Sequence, residues 1–257
     1  MIADVITAVR ERAPLVHCLS AAVSMNFVAD ALLAAGARPM MTETLEEAPS
    51  MVEVADALLI NLGTLSSDGM AGIPATVARA HSLGTPWVLD PTAVGIAPVR
   101  TPLARRLLSE APAVVRGNAS EILNIAGTGV TGRGADTAHT PEQAAQAATL
   151  LARASHAVVA VSGARDLITD GERRIGVTAG HALLTRVTGT GCTLGALIAA
   201  CTAVADPFDA AHAATAWLCL AAEDAAAVAS GPGSFKVALV DALATLEASA
   251  ADERAAE

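Results

Sequence analysis

The sequence predicts one α/β domain spanning residues 1–257, built on a mostly parallel central sheet with helices packed on both faces. Three observations carry this. Apolar runs such as Ala57-Leu58-Leu59-Ile60 are continuous rather than alternating, as in strands buried on both faces. Such runs alternate with helical periods along the chain, the pattern of βα units. The 257 residues, 53% hydrophobic and 16% charged, can bury a full core, and no Pro/Ser-rich linker divides them.

Taken in order, the first strand is Leu15-Val16-His17-Cys18-Leu19, followed by a helical pattern from Ser24 to Ala35. Arg38-Pro39-Met40-Met41 is the next apolar pulse, and the acidic run Glu43 to Glu47 reads as a solvated helix start. A strand over Ala57 to Asn61 and a helix over Met70 to Leu83 precede Pro86-Trp87-Val88-Leu89-Asp90-Pro91, a strand that ends on a carboxylate. A helix near Thr101 to Ser109 leads into the strand Ala113 to Arg116 and the loop Gly117-Asn118, after which Glu121 opens a helix. Thr128 to Thr140 is Gly/Thr-rich without apolar period and reads as a mobile loop.

A helix over Pro141 to Ser155 precedes a strand from His156 to Val161 that stops at Ser162-Gly163. Leu167-Ile168-Thr169 and Arg174-Ile175-Gly176-Val177, joined by Asp170-Gly171-Glu172, form a hairpin. The remainder is helical over Thr190 to Val204, Pro207 to Ser230 and Phe235 to Ala248, with Gly231-Pro232-Gly233 breaking the last two. The chain is expected to lose order from about residue 250.

Composition excludes several function classes. Sixteen basic against 26 acidic residues give a formal net charge of −10, the wrong sign for a nucleic-acid binder, and 2% aromatics leave no stacking platform for single strands. No 18-residue apolar stretch reads as a membrane span and the N-terminus has no leader pattern, so a cytoplasmic protein is expected. The four cysteines show neither CxxC pairing nor zinc-site spacing; Cys201 and Cys219 read as small core residues.

Chemistry concentrates in Thr188-Gly189-Thr190-Gly191-Cys192, just before the apolar helical run Leu194 to Ala200. The glycines let the backbone turn sharply, and the helix that follows aims unpaired N–H groups and partial positive charge at one point, an anion hole made by Gly189, Thr190 and Gly191. Cys192 falls in the first turn, where the helix dipole is expected to lower its thiol pKa and favour thiolate, suiting a general base or nucleophile. In open α/β sheets ligands bind beyond the carboxyl ends of the strands, which makes Asn61, Asp90 and Arg116 candidates for one crevice. His17 and His181 read as structural histidines.

Asp90-Pro91, Arg116-Gly117-Asn118-Ala119-Ser120-Glu121, Ser162-Gly163 and Gly189-Thr190-Gly191-Cys192 together resemble the hydroxyethylthiazole kinases of the ribokinase-like superfamily. Further matching pieces run along nearly the whole chain, among them Met25-Asn26-Phe27, Asn61-Leu62-Gly63-Thr64-Leu65 and Gly231-Pro232-Gly233-Ser234-Phe235. The resemblance implies a single-domain, three-layer fold that phosphorylates the hydroxyl of 4-methyl-5-(2-hydroxyethyl)thiazole with ATP and Mg²⁺ in thiamine salvage. It also implies a homotrimer with active sites at subunit interfaces.

On that resemblance, Gly189 to Cys192 would hold the transferring phosphoryl, with Cys192 catalytic and Gly189 also touching the substrate. Asp90 and Glu121 would hold Mg²⁺, Arg116 and Ser162 would contact ATP, and Met41 would contact the thiazole. Where the family reads Thr-Asn followed by a bulky residue or another Asn, this chain reads Ser20-Ala21-Ala22, so an amide that could anchor the heterocycle is missing. A related small-alcohol or pyrimidine kinase of the same fold, and a nucleotide-binding homologue without turnover, are the alternatives.

Overall fold

The computed structural model describes residues 2–127 and 141–255. All its strands join one eight-stranded sheet in the order β2-β1-β3-β4-β5-β6-β7-β8: β1 (Leu15–Leu19), β2 (Arg38–Met40), β3 (Ala57–Asn61), β4 (Trp87–Asp90), β5 (Val114–Asn118), β6 (Val158–Ser162), β7 (Asp166–Thr169) and β8 (Arg174–Val177). The first six pair in parallel, while β7 and β8 add an antiparallel hairpin at one edge. This is the mostly parallel sheet the apolar runs predict.

Alternation along the strands sorts side chains into two cores. Val16, Cys18, Leu59, Val88, Val114 and Ala160 face one side, where they meet α1 (Ile2–Arg12), α2 (Met25–Ala34), α8 (Thr190–Thr202), α9 (Pro207–Val228) and α10 (Pro232–Thr245). Leu19, Leu58, Ile60, Leu89, Val115 and Val159 face the other, under α4 (Ser67–Leu83), α5 (Arg100–Leu108), α6 (Ala119–Ile125) and α7 (Pro141–Ser155). Both strand faces are therefore apolar, which explains why the strands read as unbroken runs. The result is a three-layer helix–sheet–helix architecture.

Several elements depart from the sequence reading. α1, not anticipated, buries Ile2, Val5, Ile6 and Val9, a one-face helical spacing. The acidic run Glu43 to Glu47 does not start a helix: those residues form a loop and turn, and α3 (Ala48–Met51) begins after it. Strand β5 continues through Gly117 and Asn118, where the sequence predicts a loop, because both pair in register with β6.

A short helix closes the described residues. α11 (Ala248–Arg254) buries Ala251, Asp252 accepts the Ile2 N–H at 2.8 Å, and Arg254 pairs with Asp224 at 2.8 Å. The predicted loop from Thr128 to Thr140 lies outside the described residues. Among the described residues no helix is long and apolar enough to cross a membrane.

Candidate active site

The parallel register places the polar strand ends side by side. Asn61, last in β3, is the register partner of Asp90, last in β4, and Asn118 at the end of β5 partners Ser162 at the end of β6. Helix α8 lays its N-terminus against this row. Gly195 lets it approach closely, since a Cβ there would lie 3.1 Å from Leu59 Cδ1 and 3.6 Å from Asp90 Oδ2.

Asp90 is the hub of the cluster. Its Oδ2 accepts from Asn61 Nδ2 at 2.8 Å and Arg116 Nη1 at 3.2 Å, and its Oδ1 accepts from the Thr92 hydroxyl at 3.0 Å. Arg116 reaches the opposite way with Nη2, which donates to Ser162 Oγ at 2.9 Å. Its Nε is buried with no hydrogen-bond partner, a donor left over for a ligand.

Glu121 is positioned by a capping box, a signal legible in the spacing Asn118 to Glu121. Asn118 Oδ1 accepts the Glu121 N–H and Glu121 Oε2 accepts the Asn118 N–H, both at 2.9 Å. Glu121 Oε1 accepts the Ala93 N–H at 3.0 Å, fixing a non-glycine residue in the left-handed region (φ 63°) just beyond Asp90.

Electrostatics follow from burial. Desolvation pushes the Asp90 carboxyl above its ordinary range, opposed by Arg116 and the donors around it. Burial, then the Asp90 charge, pushes Glu121 up to about 7. Cys192 runs against the sequence expectation: burial and the neighbouring Asp90 charge raise its thiol pKa, opposed by Ser24, Arg116 and Asn61. The group is a thiol held in place rather than a ready thiolate.

Gly189 to Cys192 turn the chain into α8. Gly189 is the N-cap of α8 with φ 98°, a conformation natural to glycine, and a Cβ there would meet Ser24 Cβ at 2.8 Å. The first intrahelical bond is Thr193 N–H to the Gly189 carbonyl, so the Thr190, Gly191 and Cys192 amides lie ahead of the helical ladder. Thr190 turns its hydroxyl away, donating to the Leu184 carbonyl at 2.8 Å and anchoring the preceding segment. At Gly191 a Cβ would sit 2.8 Å from Arg116 Nη1, so the guanidinium lies directly against the helix start.

Met41 lies outside this hydrogen-bonded cluster. With Cys18, Met25, Glu43 and Asp68 it lines a cavity of about 270 Å³, and Met25 follows the Ser24 that packs on Gly189. Three sulfur-bearing side chains make one wall polarizable. Glu43 reads in sequence only as part of a solvated acidic run and Asp68 carries no signal of its own, so the cavity they share is visible only in the fold. At the departure from the family pattern, Ala21 is buried against Gly63, Ser20 Oγ is buried without a partner and Ala22 is exposed.

No set of three or more His, Cys, Asp or Glu side chains that could hold a metal gathers among the described residues. Asp90 and Glu121 nevertheless act on one another as buried charges with Arg116 as their common cation, and both present hard oxygen donors. Such a pair fits a magnesium ion that keeps most of its water and takes phosphate oxygens, not a closed protein cage.

Comparison with known proteins then decides the family, since residues 6–249 match the hydroxyethylthiazole kinase family. The chain belongs to the hydroxyethylthiazole kinase family. A hydroxyethylthiazole kinase of Clavibacter sepedonicus is 49% identical over 94% of this chain and 88% of its own length. One of Cereibacter sphaeroides is 48% identical over 96% and 94%. The solved hydroxyethylthiazole kinase structure from Pyrococcus horikoshii superposes with TM-score 0.88 at 40% identity, covering 95% of this chain and 93% of that one. Pyridoxal kinase from Staphylococcus aureus, at 17% identity and TM-score 0.61 over 82% and 87%, shares the ribokinase-like fold alone.

Proposed function

We propose that the chain transfers the γ-phosphoryl group of ATP to the hydroxyl of 4-methyl-5-(2-hydroxyethyl)thiazole, in the cytoplasm, as a step of thiamine salvage. The observation that carries this reading is the convergence of the α8 amide donors, the Arg116 guanidinium and the Cys192 sulfur at one point, in a chain of this family. Phosphoryl transfer through a loose transition state asks a protein mainly for positioning and for donors aimed at the transferred group.

The Thr190, Gly191 and Cys192 amides would cradle the transferring phosphoryl. Arg116 would exchange its contacts with Asp90 and Ser162 for nucleotide phosphate oxygens, its planar fork suiting two acceptors at once, while the Ser162 hydroxyl so released contacts the nucleotide. Asp90 and Glu121 would hold Mg²⁺ through its water shell, and the ion when bound supplies neutralisation of phosphate charge. Cys192 Sγ accepts a hydrogen bond from the attacking hydroxyl and fixes its line of approach. With its thiol pKa raised, the sulfur contributes geometry more than proton abstraction.

The heterocycle would occupy the cavity beside Met41, with Gly189 touching the ethyl alcohol. Active sites at the interfaces of a homotrimer complete the reading, a state that light scattering tests. A second reading, another small alcohol of similar shape, draws on Ala21 standing where the family carries an amide. Mass spectrometry of the product separates the readings: the proposal expects one phosphate added to the thiazole alcohol and one ADP formed per phosphate. ATP consumption with an unmodified thiazole alcohol would overturn it.

A further inference from the structure

Asn61 ends β3 at the head of the segment Asn61-Leu62-Gly63-Thr64-Leu65, and the roles assigned above leave it unused. Its amide is nevertheless fully committed. Oδ1 accepts the Gly63 N–H at 2.9 Å, which settles which end of the amide carries the oxygen. Nδ2 then faces the other way and spends its two hydrogens on Asp90 Oδ2, at 2.8 Å, and Cys192 Sγ, at 3.4 Å. A flipped amide would set an oxygen against the carboxylate and two N–H donors against a third.

The residue is held rigidly. It is buried on the last turn-in of a central strand, and Gly63 leaves the room it needs, since a Cβ there would lie 2.9 Å from Asn61 Oδ1. We propose that Asn61 is a positioning residue that ties the Cys192 sulfur to the Asp90 carboxylate, so that the acceptor meeting the alcohol and the charged phosphate side hold one fixed relation. The inference rests on the roles proposed above for Cys192 and Asp90.

The chemistry favours an amide over the alternatives. A carboxylate at 61 offers no donor to either Asp90 or Cys192 and crowds a third negative charge beside Asp90, whereas an apolar residue leaves the buried Asp90 short of one donor. A donor on one side of Sγ occupies a sulfur lone pair and leaves the crevice side for the alcohol O–H. Reacting groups held this way lose little entropy on reaching the transition state, which is where a small displacement costs rate.

The test uses Asn61→Asp, which keeps the oxygen facing Gly63, and Asn61→Ala. In both, kcat is expected to fall about 10- to 100-fold while KM for ATP and alcohol changes less than about threefold. A second readout needs no turnover. Cys18, Cys201 and Cys219 are buried and Cys192 is half-buried, so iodoacetamide at fixed pH reads Cys192, with Cys192→Ala giving the background. Alkylation in folded Asn61→Asp is expected to slow about three- to tenfold without substrates, because the sulfur loses the Asn61 donor and gains a negative neighbour, both of which disfavour thiolate.

Unchanged kcat in both variants overturns the proposal, as does a rise in KM alone. Unchanged alkylation in folded Asn61→Asp also overturns it, including where activity falls only in step with melting temperature. If Cys192→Ala keeps full activity yet alkylation slows in Asn61→Asp, the tie between Asn61 and the sulfur stands and the catalytic role of Cys192 fails.

Discussion

Arg116 spans Asp90 and Ser162, donating from Nη1 at 3.2 Å to the carboxylate and from Nη2 at 2.9 Å to the hydroxyl. One planar cation thus joins three neighbouring strands at their carboxyl ends. A lysine ammonium is a point charge and cannot hold both partners in that geometry. Arg116→Lys is expected to raise KM for ATP about tenfold or more and to lower kcat, measured by initial rates at varied ATP.

Gly191→Ala tests the contact between α8 and that guanidinium. The new methyl would stand 2.8 Å from Nη1 and 3.0 Å from Nη2, the far end of a long side chain rather than backbone. The helix itself gains from alanine. The expected outcome is a melting temperature near or above the parent protein's, with kcat/KM for ATP reduced at least about tenfold because Arg116 is pushed aside.

The pH dependence of stability isolates Glu121, whose carboxyl is raised to about 7 by burial and by Asp90. A carboxyl that holds its proton longer folded than unfolded makes stability fall as pH rises from its ordinary range near 4.5 to about 7. Glu121→Gln removes that dependence while costing one backbone contact. The melting-temperature difference, variant minus parent, should therefore be more positive at pH 8 than at pH 5, measured without nucleotide or metal.

Cys192 is expected to act by geometry. Cys192→Asp supplies another acceptor at the same helix turn and should retain substantial activity, whereas Cys192→Ala should lose about 10²-fold or more in kcat. Equal and complete loss in both variants would mean that the sulfur itself, not an acceptor at that place, is required.

The sequence carried the strands and most helices because their signals are local: Ala57 to Ile60 is unbroken apolar sequence, and Asp170-Gly171 marks the hairpin turn. The α1 signal is equally local, a one-face spacing of Ile2, Val5, Ile6 and Val9. That of α11 is not, since its packing rests on Ala251 and on contacts to distant residues. The candidate site residues rest on motif order; the register sets the strand ends carrying Asp90, Arg116 and Ser162 side by side, while Met41 lies apart from them. What sequence could not give was burial. The Cys192 thiol moves up because desolvation and the Asp90 charge outweigh Arg116 and its hydrogen-bond donors, and its bond to Asn61 joins residues 131 positions apart.

The central claim is tested most directly by ADP release, measured with a coupled assay over a panel of small alcohols at saturating Mg²⁺-ATP. The account predicts that 4-methyl-5-(2-hydroxyethyl)thiazole gives the highest kcat/KM of the panel and that the rate collapses in Arg116→Lys. A higher kcat/KM for a pyrimidine or pyridine alcohol, or no alcohol-dependent ADP release at all, would contradict it.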